Sequence, residues 1–247
     1  MIKMVGAIPI ASLKRNLMQV RERIAAAAAR VSRLPDTVKL VAIAKSVGVA
    51  EIKALMELGV TEIGESRAQD AKKKIMALGA AAGAHWHLVG HLQTNKADQA
   101  ASLFQTIHSV DSIRVAQALH KEMRKLADQT KMSQPLRCLL EINVAGESSK
   151  FGLPPTVTEI AEILRVTNDL SALRIVGLMT MAPYVENDAT VSRPIFQKLR
   201  ELRDELNDQR CYSHPLIELS MGMSQDYWIA VEEGATLVRI GSALFEI

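Results

Sequence analysis

Lys45 ends an apolar, β-branched run, VKLVAIAK from Val38 to Lys45. Such a run suits a strand buried on both faces, and a side-chain period of two puts Val41, Ile43 and Lys45 on one of them. An ammonium at the end of an apolar strand is either solvated there or put to use: paired, neutralised or covalently bonded. Far along the chain lie two short loops, SMGMS (Ser220, Met221, Gly222, Met223, Ser224) and GSALF (Gly241 and Ser242 to Phe245). Both combine glycine, for close backbone approach, with serine hydroxyls and the free N–H groups of a helix start. These are groups that hold a phosphate; capping of the following helices is the plainer use of the same residues. A lysine facing a phosphate cup is the layout for a Schiff base to pyridoxal phosphate. Arg239 shares a strand face with Leu237 and Gly241 and can meet that cofactor's ring nitrogen. A guanidinium cannot accept a pyridinium proton, so the ring would be a weak electron sink.

Other chemistry is less well supported. His85, His87 and His91 form a candidate three-histidine metal set, since residues two apart share a strand face. No carboxylate lies within that stretch, and no metal is expected. Asp111, Glu141 and Glu65 are candidate acid/base groups, but spacing selects no pair among them. Cys138 and Cys211 read as core residues rather than nucleophiles or a disulfide framework. No Walker-type or dinucleotide glycine loop is present.

Composition narrows the function class. The chain has 247 residues, 48% hydrophobic and 23% charged, with a net charge of +3 from 30 basic and 27 acidic groups. That balance implies neither nucleic acid nor an acidic membrane, and 4% aromatics weakens a base-stacking role. The basic groups at Lys14, Arg15, Arg21 and Arg23, and at Lys72 to Lys74, read as solvated helix faces. No apolar run reaches the roughly 18 residues of a membrane helix. Met4 to Ala11 is apolar but has no evident cleavage site, so no signal peptide is expected and the reading is cytoplasmic.

The elements that must position these groups alternate. Ser12 is expected to cap a helix with Leu13, Leu17, Val20 and Ile24 inward, ending before Pro35. Strands are then expected at Val38–Lys45, Thr61–Ser66, Trp86–Gly90, Thr106–Asp111, Arg137–Val144, Arg174–Thr180, Ile217–Ser220 and Leu237–Gly241, each followed by a helix or helical turn. Eight such units in this length predict one domain over residues 1–247: an α/β fold, a single TIM (β/α)8 barrel with an extra N-terminal helix. A doubly wound open sheet is the alternative. In a barrel, active groups lie at the C-terminal strand ends, where Lys45, Ser66, His91, Asp111, Asn143, Thr180 and Ser220 fall.

VAIAKS around Lys45, GES at Gly64–Ser66, HWHLVGHLQTNK at His85–Lys96, IHSVD at Ile107–Asp111 and EINVAGESSKFG at Glu141–Gly152 occur in that order. RIVGLMTM, SMGMSQD at Ser220–Asp226 and VRIGSALF at Val238–Phe245 follow. With these motifs the chain resembles the pyridoxal phosphate homeostasis protein family, whose barrel is of the alanine-racemase N-terminal type. The resemblance implies that Lys45 carries the Schiff base, that Ser220, Ser224, Gly241 and Ser242 hold the phosphate, and that Arg239 faces the ring nitrogen. Met221, Gly222, Met223, Ser66, His87 and Asn95 complete the expected cofactor contacts. Ser66 departs from the asparagine usual in the family after Gly-Glu. The implied role is intracellular balance of vitamin B6 aldehyde without strong catalysis, in a monomer or weak dimer, with cofactor-dependent apoenzymes as recipients. A racemase or decarboxylase on the same cofactor, and a sugar-phosphate aldolase using Lys45, are the competing classes. The racemases of this barrel use a tyrosine from a second domain; here Tyr184 is the one candidate substitute, against Tyr212 and Tyr227.

Overall fold

The computed structural model describes residues 8–79, 83–130, 134–147, 150–186 and 188–246. Residues 1–7 lie outside this range, so half of the apolar Met4–Ala11 stretch is not described. Eight parallel strands close into a barrel in sequence order: β1 (Lys39–Ile43), β2 (Glu62–Glu65), β3 (His85–Leu88), β4 (Thr106–Val110), β5 (Leu136–Glu141), β6 (Leu173–Met179), β7 (Glu218–Ser220) and β8 (Leu237–Ile240). β8 pairs with β1 in the register Lys39 to Leu237 through Ala42 to Ile240. That pairing rules out the open sheet. Helices α1 (Ile10–Arg30), α2 (Val49–Glu57), α3 (Ala68–Leu78), α4 (Ala97–Leu103), α5 (Ile113–Thr130), α6 (Val157–Thr167), α7 (Arg193–Asp208), α8 (Tyr227–Glu232) and α9 (Ser242–Phe245) surround it.

The apolar core divides as a parallel barrel requires. Val41, Ile43, Leu139, Val176, Met179 and Leu237 fill the interior. Ala42, Ala44, Ile63, Leu140, Leu178 and Ile240 point outward into the helix layer. The strand interior is therefore apolar on both sides, which is why β1 shows no polar alternation. The extra helix α1 buries Leu13, Leu17, Val20 and Ile24. Its start is Pro9, not Ser12: Ser12 lies in the first turn and donates its N–H to the Pro9 carbonyl at 2.9 Å. A proline needs no hydrogen-bond partner for its own nitrogen, so it starts the helix without a hydroxyl cap.

Gly177 controls how closely β6 and β7 approach. A Cβ there would lie 1.8 Å from the Glu218 carbonyl oxygen. Only glycine permits this register, and it fixes Thr180 beside Ser220, whose carbonyl accepts the Thr180 N–H at 3.1 Å. Among the described residues no helix is long and apolar enough to cross a membrane.

Candidate cofactor-binding site

A cavity of about 540 Å³ opens where the C-terminal strand ends converge, lined by Lys45, Ser66, Met223, Ser224, Arg239, Gly241 and Ser242. This volume falls in the range of about 300–1,000 Å³ usual for small-molecule sites. Apolar walls come from Ile43, Val89, Met181 and Phe245. Lys45 is exposed there, two residues beyond the end of β1 rather than inside it. Pairing ends after Ala44 donates to the Gly64 carbonyl at 2.8 Å, and the chain then turns into the loop before α2. The backbone at that point is clamped from below. Lys74, reaching from α3, donates to the Ala44 carbonyl at 2.6 Å and to Glu65 at 2.5 Å. Lys72 and Lys73 are exposed as expected, whereas Lys74 is a half-buried fastener with a side chain only 14% exposed.

Across the cavity, Ser224 ties together the loops after β7 and β8. Its hydroxyl oxygen accepts the N–H of Gly241 at 3.2 Å and of Ala243 at 3.1 Å. Two backbone donors thus converge on the Ser224 oxygen, a position an anion would take by displacing that hydroxyl. The preceding turn depends on Gly222 at φ +91°, where a Cβ would meet the Cβ of Ala230 at 2.5 Å. Asp226 holds the same turn by accepting the Met223 N–H at 2.6 Å.

Arg239 is 4% exposed, and this cation closes the floor of the cavity. It donates to the Ser220 hydroxyl at 2.6 Å and to the Thr180 carbonyl at 2.8 Å. Burial pulls it down to about 10, opposed by the Asp226 and Glu141 carboxylates, so it stays charged at neutral pH.

Not every expected contact reaches the cavity. Ser220 is buried beneath it, bonded to Arg239 and to His108 at 2.8 Å, and acts through Arg239. Met221 is a core residue packed in the helix layer. Gly222 shapes the turn, and Asn95 lies exposed in a 3-10 turn, Thr94–Lys96. His87 is buried inside the barrel, its Nδ1 2.8 Å from His108 Nε2 and its Nε2 2.6 Å from Glu62. The three histidines do not assemble: His91 pairs with Asp111 at 3.2 Å and stacks on Phe151, away from His85 and His87. Tyr184 is 71% exposed and does not line the cavity; Tyr212 is used by the Ile175 N–H, and Tyr227 is core.

Sequence spacing left Asp111 and Glu141 unpaired in meaning; the fold couples them. Glu141 ends β5, 3% exposed, and its Oε2 has no hydrogen-bond partner among the described residues. Burial, then the negative charge of Asp111, pushes its carboxyl up to about 7 from an ordinary 4.5, with Arg239 opposing. The folded chain therefore holds this proton longer than the unfolded chain. The associated stability is complete below the ordinary value and is lost as pH rises through the folded one. Relative to wild type, Glu141→Gln should gain up to about 3 kcal/mol between about pH 5 and pH 8. Urea denaturation across that range checks this, and a variant that tracks the wild-type pH dependence would refute it.

The family model for the alanine racemase N-terminal domain matches residues 8–247. A curated protein from Aquifex aeolicus named pyridoxal phosphate homeostasis protein is 42% identical over 230 residues, covering 93% of this chain and 96% of its own. One of the same name from Pseudomonas aeruginosa is 36% identical over 236 residues, covering 96% of each. A solved structure of PipY from Synechococcus elongatus PCC7942, with PLP bound, superposes with a TM-score of 0.79 at 32% identity, covering 94% of this chain and 99% of that one.

Proposed function

Because the chain belongs to the pyridoxal phosphate homeostasis protein family, we propose that it binds pyridoxal 5'-phosphate and serves its intracellular balance rather than a strong catalysis of its own. One observation carries this reading. An exposed primary amine, a cup of backbone N–H groups and a buried guanidinium face the same cavity. The chain's own residues fit the cofactor at each end. Lys45 supplies the amine for its aldehyde. The N–H groups of Gly241 and Ala243, released from the Ser224 hydroxyl they now bond, hold its phosphate together with the Ser224 and Ser242 hydroxyls. Arg239 presents a donor to its ring nitrogen.

When bound, the cofactor supplies a reactive aldehyde and a conjugated ring that absorbs visible light. Arg239 can donate but cannot take up the ring proton, which keeps the ring a weak electron sink. Ser66 lines the cavity where the family usually has asparagine, and its shorter hydroxyl takes that place. The proposed setting is the cytoplasm, and the proposed recipients are apoenzymes that exchange a lysine amine for Lys45.

The test is cofactor binding by absorbance, with pyridoxal and pyridoxal phosphate compared. The phosphate form should bind much more tightly. Ser242→Asp, which sets a carboxylate against the phosphate, should weaken it at least about tenfold, or about 1.4 kcal/mol. Equal affinity for the two aldehydes would refute the cup. Racemisation needs an acid/base group on each face of the substrate. No tyrosine lines this cavity among the described residues. D-alanine formation from L-alanine at saturating cofactor should stay below about 1 per second, the low end of ordinary turnover. Faster, Lys45-dependent turnover would establish a racemase instead.

A further inference from the structure

At the end of the barrel opposite the cofactor cavity, three metal-ligating side chains converge that the cofactor site does not use. Glu62 begins β2 and His85 begins β3, directly paired in register, and His87 lies on the same interior face of β3. One ligand atom from each of Glu62, His85 and His87 lies within 4.8 Å of the other two. We propose that these residues form a binding site for a divalent transition ion of the zinc class.

The donor set argues for that class. Two imidazole nitrogens and one carboxylate suit zinc and its neighbours, whereas calcium and magnesium demand oxygen. Three protein ligands leave a fourth position for water. The ligands are oriented from behind. His87 Nδ1 is 2.8 Å from His108 Nε2, and His108 Nδ1 is 2.8 Å from the Ser220 hydroxyl. His85 Nε2 is 2.9 Å from the Thr106 hydroxyl. Such outer partners fix ring orientation at metal centres. An ion also has a way in. The Glu62 side chain is 24% exposed and borders a cavity of about 390 Å³ between α1 and the start of the strands.

Charges around the site are mixed. Lys39 and Arg137 act on His85 and disfavour a cation, but Arg137 is engaged by Glu218 at 2.9 Å. Glu62 supplies the compensating negative charge. His87 now directs its Nε2 to Glu62 at 2.6 Å, so an ion would replace that hydrogen bond with two bonds to itself.

The test titrates Zn²⁺ and Co²⁺ into tag-free, cofactor-loaded protein previously stripped with a chelator. One equivalent should bind, with Co²⁺ giving the visible d–d bands of a four-coordinate site and Zn²⁺ raising the melting temperature. Glu62→Gln and His85→Gln should each weaken binding at least about tenfold and abolish the thermal shift, while His91→Gln should bind as wild type. If the variants fold poorly without metal, Co²⁺ band intensity in the wild type still decides between a four-coordinate site and weak surface binding. Binding that survives in Glu62→Gln and His85→Gln, or that is lost instead in Cys211→Ser or His91→Gln, overturns the proposal. So does the absence of saturable binding.

Discussion

Lys45→Ala should lose covalent retention of pyridoxal phosphate and the visible band that accompanies it. The residue sits at the mouth, exposed, and among the described residues no second lysine lines the cavity. Lys74, which reaches the backbone of the residue before Lys45, spends its donors on Glu65 and the Ala44 carbonyl. The phosphate cup and Arg239 remain in the variant, so some non-covalent affinity should persist. The expected loss is at least about a hundredfold, or about 2.8 kcal/mol at 1.4 per tenfold. Borohydride reduction of wild-type protein with cofactor, followed by peptide mass mapping, should place the label on Lys45. A label on Lys74 or Lys150 would reassign the amine.

The second large effect is structural. Gly177→Ala should destabilise the fold by about 4 kcal/mol or more, above the 1–3 usual for an overpacked core. The added carbon would sit 1.8 Å from the Glu218 carbonyl, and backbone, unlike a flexible side-chain tip, cannot swing aside. β6 and β7 would have to part. Because Thr180, the residue after β6, and Ser220, the last of β7, hold Arg239, cofactor affinity should fall together with stability. At roughly 2–4 °C per kcal/mol for a chain of this size, the melting temperature should drop by about 10 °C or more. A variant melting within about 2 °C of wild type would show that the strands tolerate the separation.

Much of this architecture was legible before any coordinates. All eight strands were placed to within a few residues, because each is a short apolar segment between turn residues in strict alternation with amphipathic helices. The strand ends were less legible. Lys45 reads as part of an apolar run, but pairing is decided by a neighbour far along the chain, and β1 stops at Ile43. Ser12 resembles a cap, yet the fixed backbone of Pro9 starts the helix earlier. The two glycine-serine loops were visible because glycine and serine suit that geometry in any context. His85 and His87 were legible as a pair on one strand face, and Asp111 and Glu141 as candidate acids. The coupling of Glu141 to Asp111 and the joining of Glu62 to the histidines were not, since those depend on register between strands rather than on spacing within one. The gap between β2 and β3 holds no periodic sign that Glu62 will face His85.

The cofactor site is also a seam. Lys45 follows the first strand, whereas Arg239 and the anion-holding loop belong to the last, and they meet only when β8 hydrogen-bonds to β1. Those partners are separated by almost the whole sequence, the kind of contact that forms late and slowly. Before β8 pairs with β1, Lys45 is an ordinary surface amine, and the proposed phosphate loop does not yet stand opposite it. On the proposed site, capture of the aldehyde would wait until β8 has paired with β1. Each captured aldehyde in turn favours closure of the ring over its opening, by an amount set by the free concentration and the dissociation constant. Saturation with vitamin B6 aldehyde would therefore mark a chain whose barrel is shut.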